Sequence, residues 1–269
     1  MVDQDLTANF FFPGLGSHLA DLFLPGDPVW RALDGLKTFI RAVISPNLPD
    51  VVEPGIPVEM PLVMLPGGWI SEGFTLVSND ETRGNLQVWM DDQHLPDAAL
   101  ICAGAVFMDR RIEIGPGALV EPQSLIKGPA IIGAHTQVRQ GAYIRGDVLV
   151  GSSCVVGHAT EVKHAVFLDG AKAGHFAYVG DSILGRDVNL GAGTKLANLK
   201  FGPGTVSVAL PDGSKQDTGR RKIGAIMGDG CQTGCNSVTN PGVLLGPESL
   251  VAPNTTVSPG FYNKRSIIR

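Results

Sequence analysis

The sequence predicts a mainly β fold, a parallel β-helix of hexapeptide repeats, and three observations carry that expectation. Ten aliphatic residues fall on one six-residue comb: Ile114, Val120, Ile126, Ile132, Val138, Ile144, Val150, Val156, Val162 and Leu168. Four places beyond each tooth sit Ala118, Ser124, Ala130, Thr136, Ala142, Val148, Cys154, Thr160, Val166 and Lys172, nine of them small or β-branched. The comb also extends in phase to Cys102 and Met108, reappears at Leu184, Leu190 and Leu196 after a shift of four, and returns at Leu245, Val251 and Val257. A short strand that points one aliphatic side chain inward, followed by a tight corner with room for only a small inward residue, produces this period. The solenoid is expected from about residue 100 to about residue 262.

Residues 1–98 lie outside the comb and are expected to form a small α+β cap module on the open end of the solenoid, as terminal repeats require. Asp27 and Pro28 read as N-cap and first helical position, followed by Trp30, Leu33, Leu36, Phe39, Ile40 and Val43 at helical spacing. Six prolines between Pro46 and Pro66 enforce an irregular extended path, and Met64–Leu65 and Leu86–Trp89 read as strands. The solenoid domain, 99–269, is interrupted twice. From Gly174 to Ile183 the comb fails, with Gly174 and Gly180 where teeth belong, so this block is expected to be a loop or a site. From Lys200 to Lys222 an insertion with Val206–Leu210, the turn Pro211-Asp212-Gly213 and a basic run to Lys222 reads as a protruding hairpin.

Charge divides the chain. Residues 1–98 carry four basic and 14 acidic side chains, the remainder 17 and 12. A mildly cationic solenoid suits phosphorylated small ligands and lacks the basic runs of a nucleic-acid binder. The acidic start has no basic leader region and no apolar stretch is long enough to span a bilayer, so a cytoplasmic location and no membrane contact are expected. The four cysteines read as core packing in a reducing compartment, and Cys231 and Cys235 alone lack the second ligand pair of a zinc site, so no metal is expected. Residues 1–98 contain no Gly-rich phosphate loop of the Rossmann or P-loop type.

The repeat resembles the left-handed, three-strands-per-coil variety of β-helix, which implies a homotrimer. Within it, Lys172-Ala173-Gly174-His175-Phe176-Ala177-Tyr178-Val179-Gly180-Asp181 and its surroundings, from about Arg145 to Asn198, resemble one enzyme family in particular. This is the acetyltransferase domain of the bifunctional glucosamine-1-phosphate acetyltransferase/N-acetylglucosamine-1-phosphate uridyltransferases. The resemblance implies His175 as catalytic base and Asn198 as the residue contacting both base and acetyl donor. It places substrate phosphate on Arg145 and Lys163, the sugar on Tyr178 and Asn189, and acetyl-CoA along Ala192 and Cys235, the latter standing where the family has Ser. The insertion resembles the arm of archaeal sugar-1-phosphate nucleotidyltransferase/acetyltransferase proteins, which implies that it reaches a neighbouring subunit's phosphate site with Lys222 near substrate. Lys264 and Arg265 are candidates for coenzyme A phosphates.

Elementary chemistry is compatible with these roles. Acetyl transfer needs a neutral amine nucleophile, so a base must remove a proton, and histidine is the natural choice at neutral pH. Arg145 offers a planar fork to a phosphate and Lys163 a movable point charge. Two departures stand out: Asn198 is followed by Leu199 where the bacterial family usually has Tyr, and no nucleotidyltransferase domain precedes the prism, so uridyl transfer is not expected and a separate nucleotidyltransferase would activate the product. Three readings follow: acetyl transfer from acetyl-CoA to a sugar 1-phosphate amine such as glucosamine 1-phosphate; acyl transfer to another amino-sugar or nucleotide-sugar acceptor; or a non-catalytic trimeric scaffold that binds sugar phosphates.

Overall fold

Three stacks of short parallel strands form the walls of a prism. The computed structural model describes residues 6–78, 86–210 and 212–269, which leaves Pro211 of the expected turn outside the described residues. In every coil the chain crosses a first face, opened by Ala99–Ile101, then a second opened by Val106–Phe107, then a third opened by Ile112–Ile114. Eight coils complete this circuit, and Ile267–Ile268 begins a ninth. Each coil's strands pair in register with those of the next, so backbone polar groups are satisfied between coils. Side chains of one inward position therefore stack in columns, for example Ile114, Ile132, Val150, Phe167, Leu184, Met227 and Leu245 on the third face. All seven are at most 1% exposed, a burial each contributing about 1.5–3 kcal/mol.

The predicted comb holds from Ile114 to Val162 and then needs correction. Phe167, not Leu168, occupies the next inward place, Ala165 and Ala171 fill the small corner positions instead of Val166 and Lys172, and Ala173 and Val179 are the inward residues where Gly174 and Gly180 were expected. Upstream, Ile101 and Phe107 point inward rather than Cys102 and Met108. The step is six residues across the other two corners of every coil, so all irregularity collects where the second face turns into the third. There it is seven from Phe107 to Ile114, five from Val162 to Phe167 and from Val179 to Leu184, and it takes in the whole insertion between Leu196 and Met227. The block from 174 to 183 is thus regular β-helix in a shifted phase, and the break was two single-residue deletions at one corner.

The outside of the third face is apolar and covered. Leu149, Val166, Ile183, Ile226 and Leu244 lie beneath Phe11, Leu33, Leu36 and Ile40 from the amino-terminal segment and Val206 and Val208 from the insertion. Helix α1 (Ala8–Phe11) and helix α2 (Ala32–Val43) therefore lie along the prism wall, and α2 begins after a 3-10 turn at Val29–Arg31 without a side-chain cap, so Asp27 does not cap it. The end of the prism is sealed by the proline-rich stretch, with Leu48, Val52 and Val58 joining the inner core. Strand β1 (Leu62–Leu65) pairs antiparallel with Ala99–Ile101 and β2 (Gly68–Ile70) pairs with β1, ending the parallel ladder at that edge. A three-stranded meander, β3 (Thr75–Ser78), β4 (Leu86–Met90) and β5 (Gln93–His94), packs beside it.

Cys102, Cys154 and Cys231 are buried, and burial pushes each thiol up from 9.0 to about 12. No helix among the described residues is long and apolar enough to cross a membrane.

Candidate active site

Most of the residues singled out by sequence separate onto two opposite edges of the second face. At the corner into the third face, Arg145 and Lys163 each follow an inward residue, Ile144 and Val162, and stack one coil apart, with Gly180 above Lys163 in register. Arg145 Nη1 lies 2.6 Å from Glu161 Oε1, and its guanidinium carbon lies 5.9 Å from the Tyr143 ring centroid. The Glu161 hydrogen bond holds the Arg145 guanidinium above its ordinary value.

Asp181 anchors this corner. Its side chain is 5% exposed, and its Oδ2 accepts Asn198 Nδ2 at 2.5 Å and Lys163 Nζ at 3.4 Å, while Arg220 Nη2 stands 3.6 Å from Oδ1. The Tyr178 hydroxyl donates to Asn198 Oδ1 at 3.4 Å. Burial, then the Glu161 and Asp181 charges, push the Tyr178 phenol up, so it stays a donor. Gly180 lies under these side chains, where a Cβ would meet Tyr178 Oη at 2.6 Å and Asn198 Nδ2 at 2.7 Å. Asn198 is thus held between Asp181 and Tyr178, and the expected contact with His175 is absent within the chain.

His175 sits at the other edge, where the first face turns into the second. His158, His175, Ala192 and Cys235 occupy one corner position in successive coils, tied by Phe176 N→His158 O, Gly193 N→His175 O, Asn236 N→Ala192 O and Asn254 N→Cys235 O at 2.8–2.9 Å. The two imidazoles stack with centroids 5.8 Å apart and planes 24° off parallel, and the Phe176 ring lies 6.3 Å from His175. Gly157 permits this ladder, because a Cβ there would fall 1.8 Å from Gly174 O. The exposed Cys235 thiol lies two coils beyond His175, or about 10 Å at one strand spacing per coil. Asn189 is exposed on the first face, in register with Lys172 and Gln232.

The insertion does not stand away from the prism as expected. Its two strands, Ser207–Ala209 and Lys215–Asp217, form an antiparallel hairpin with Val206 and Val208 buried against the chain's own third face. The segments around Leu199 to Gly204 and Asp212 to Lys215 are largely exposed, with Phe201 fully so. Lys222 is exposed beside the corner, bridged to Leu199, and its carbonyl accepts Arg220 Nε at 3.1 Å. Lys264 and Arg265 lie at the corner between the third and first faces in the last coil, outside the Cys235 column, where Arg265 Nε pairs with Glu248 at 2.6 Å. Sequence reading gave no role to Asp181, although it closes the quoted block, and missed Arg220 and Glu161. Among the described residues no three His, Cys, Asp or Glu side chains converge as a metal site.

Fold and site define a hexapeptide-type β-helix protein with a cationic corner at one edge of a face and a histidine at the other. Residues 126–234 match the family described as the GMPPB C-terminal domain. The chain is 36% identical over 144 residues to a bifunctional sugar-1-phosphate nucleotidylyltransferase/acetyltransferase of Sulfurisphaera tokodaii, covering 54% of this chain and 30% of that protein. It is 36% identical over 144 residues to the bifunctional protein GlmU of Methanococcus vannielii, covering 54% and 28%, and 28% identical over 202 residues to that of Marinobacter nauticus, covering 70% and 40%. The chain thus spans less than half the length of these relatives.

Proposed function

We propose that this protein transfers acetyl from acetyl-CoA to the amine of a sugar 1-phosphate, with glucosamine 1-phosphate as the acceptor. One observation carries the reading: a stacked arginine and lysine, backed by a buried carboxylate, flank a face whose opposite edge presents an exposed histidine, all within residues 126–234 that match the family model.

Arg145 and Lys163 hold the phosphate. Both already carry carboxylate partners, so the incoming dianion exchanges one set of charge-assisted hydrogen bonds for another, and Asp181 keeps Lys163 at the corner until it does. Tyr178 and Asn189 face the sugar, and Lys222 adds charge beside the phosphate. His175 takes the proton that the amine loses as its nitrogen bonds to the acetyl carbon, and returns one to the departing coenzyme A sulfur. The donor runs along the corner column from Ala192 to Cys235. Asn198 holds Asp181 and Tyr178 in place at the phosphate corner.

The two halves of this machinery are separated within a chain. Five residue steps of largely extended backbone separate His175 from Gly180, a span of up to about 16 Å, whereas amine and phosphate occupy neighbouring carbons of the sugar. A second copy supplying its own histidine corner closes that gap. Because the third face is covered by the chain's own helices and hairpin, copies meet through the first and second faces, in keeping with a homotrimer and with sites between subunits. Incubation with acetyl-CoA and glucosamine 1-phosphate, followed by mass spectrometry, tests the reading. An acetyl-CoA-dependent mass gain of one acetyl group on the sugar phosphate supports it, and unchanged acceptor refutes it.

A further inference from the structure

Arg220 ties the phosphate corner to the amino-terminal helix. Its side chain is 15% exposed and stands between two carboxylates, Asp181 on one side and Asp34, in the first turn of α2, on the other. Asp34 Oδ2 also accepts Arg31 Nη1 at 3.0 Å. A continuous polar chain therefore runs Arg31, Asp34, Arg220, Asp181, and from Asp181 to both Lys163 and Asn198. It joins α2, the insertion and three coils of the prism. Neither Arg31 nor Asp34 lies within residues 126–234, the stretch matched by the family.

We propose that Asp34 is a positioning residue for the sugar-phosphate site, acting through Arg220 on Asp181, so that the amino-terminal module sets how the corner receives phosphate. This rests on the phosphate reading of Arg145 and Lys163 given above. A guanidinium so little exposed requires a counter-charge, and Asp34 and Asp181 share that task. With Asp34 removed, Arg220 turns wholly onto Asp181, which must then divide its two oxygens differently among Arg220, Lys163 and Asn198. Lys163 is the most exposed of the three donors and the one released. Its ammonium becomes mobile, and a pre-organised phosphate contact becomes one that must be ordered on binding.

Calorimetric titration of the full chain with glucosamine 1-phosphate, and separately with coenzyme A, tests this without depending on turnover. Asp34→Ala is expected to weaken sugar-phosphate binding about five- to tenfold, the size of one ordinary hydrogen bond because the Lys163 contact is loosened rather than removed, and to leave coenzyme A binding unchanged. Asp34→Glu should recover most of the loss. Leu36→Ala serves as the control, because Leu36 is fully buried on the same helix and packs in the apolar cluster that docks the helix on the prism wall. Measured well below its unfolding temperature, it should bind sugar phosphate as the wild type does. Equal binding by Asp34→Ala and wild type would overturn the positioning role, as would an equal loss in Leu36→Ala, which would mean that helix docking alone matters. A wild type that fails to bind the sugar phosphate would instead overturn the phosphate reading itself.

Discussion

Replacing Asp181 by alanine removes the acceptor on which the second-to-third corner converges. Asn198 Nδ2 loses its 2.5 Å partner inside the protein, and a buried donor left without an acceptor costs about 1–3 kcal/mol. Lys163 is 29% exposed at its side chain and turns to water, so its loss adds little. Arg220 keeps Asp34, adding about 1 kcal/mol for the weaker second contact. The total is about 2–4 kcal/mol, or roughly 4–16 °C in unfolding temperature for a domain of this size. Asp181→Asn keeps an oxygen for Asn198 while giving up the charge, and should lose about half as much. Urea unfolding followed by circular dichroism measures both, with an unchanged denaturant slope marking a pure stability effect. An Asp181→Ala midpoint indistinguishable from wild type would show that the corner is held by its backbone ladder alone.

Alkaline pH should destabilise the fold through its buried thiols. Cys102, Cys154 and Cys231 are held near 12 in the folded protein against 9.0 when exposed, so their contribution is complete below pH 9 and is lost as pH rises toward 12. Stability should fall by up to about 1.4 kcal/mol per pH unit per thiol in that window, and Cys231→Ala should flatten the slope by about a third; an unaltered slope would contradict the assignment. If sites form between copies, Lys163→Ala and His175→Ala proteins, each inactive alone, should regain activity when unfolded and refolded together. Inactive mixtures would mean that one chain supplies both ends of the site.

The β-helix was legible because its inward positions repeat with a fixed step, and a run such as Ile126, Ile132, Val138 and Ile144 cannot serve another regular element equally well. Phase was lost where a single residue dropped out, at Val162 to Phe167 and again at Val179 to Leu184. A comb with a fixed period cannot distinguish one deletion from a break, and the regular strand carrying His175 was read as an interruption. The cationic pair, Arg145 and Lys163, came from the family resemblance, since many residues that follow a tooth, such as Gly133 and Gly151, carry no charge and the comb alone marks no site. The Asp34–Arg220–Asp181 connection was not visible, since it joins residues 34, 220 and 181 through a helix laid against the prism wall. Nothing in local sequence marks which face that helix covers. The resemblance pairs Asn198 with His175, and within one chain Asn198 lies at the opposite edge of the second face, beside Asp181, so that pairing needs the histidine of a second copy.

The measurement that bears most directly on the proposed chemistry is the steady-state release of coenzyme A thiol from acetyl-CoA with glucosamine 1-phosphate, for wild type and His175→Ala at matched folded concentration. Loss of a general base predicts a fall in turnover of about 10²–10⁴-fold with little change in the affinity for sugar phosphate, because Arg145 and Lys163 lie at the other edge. Equal turnover in the two proteins would remove His175 from the reaction and with it the proposed mechanism.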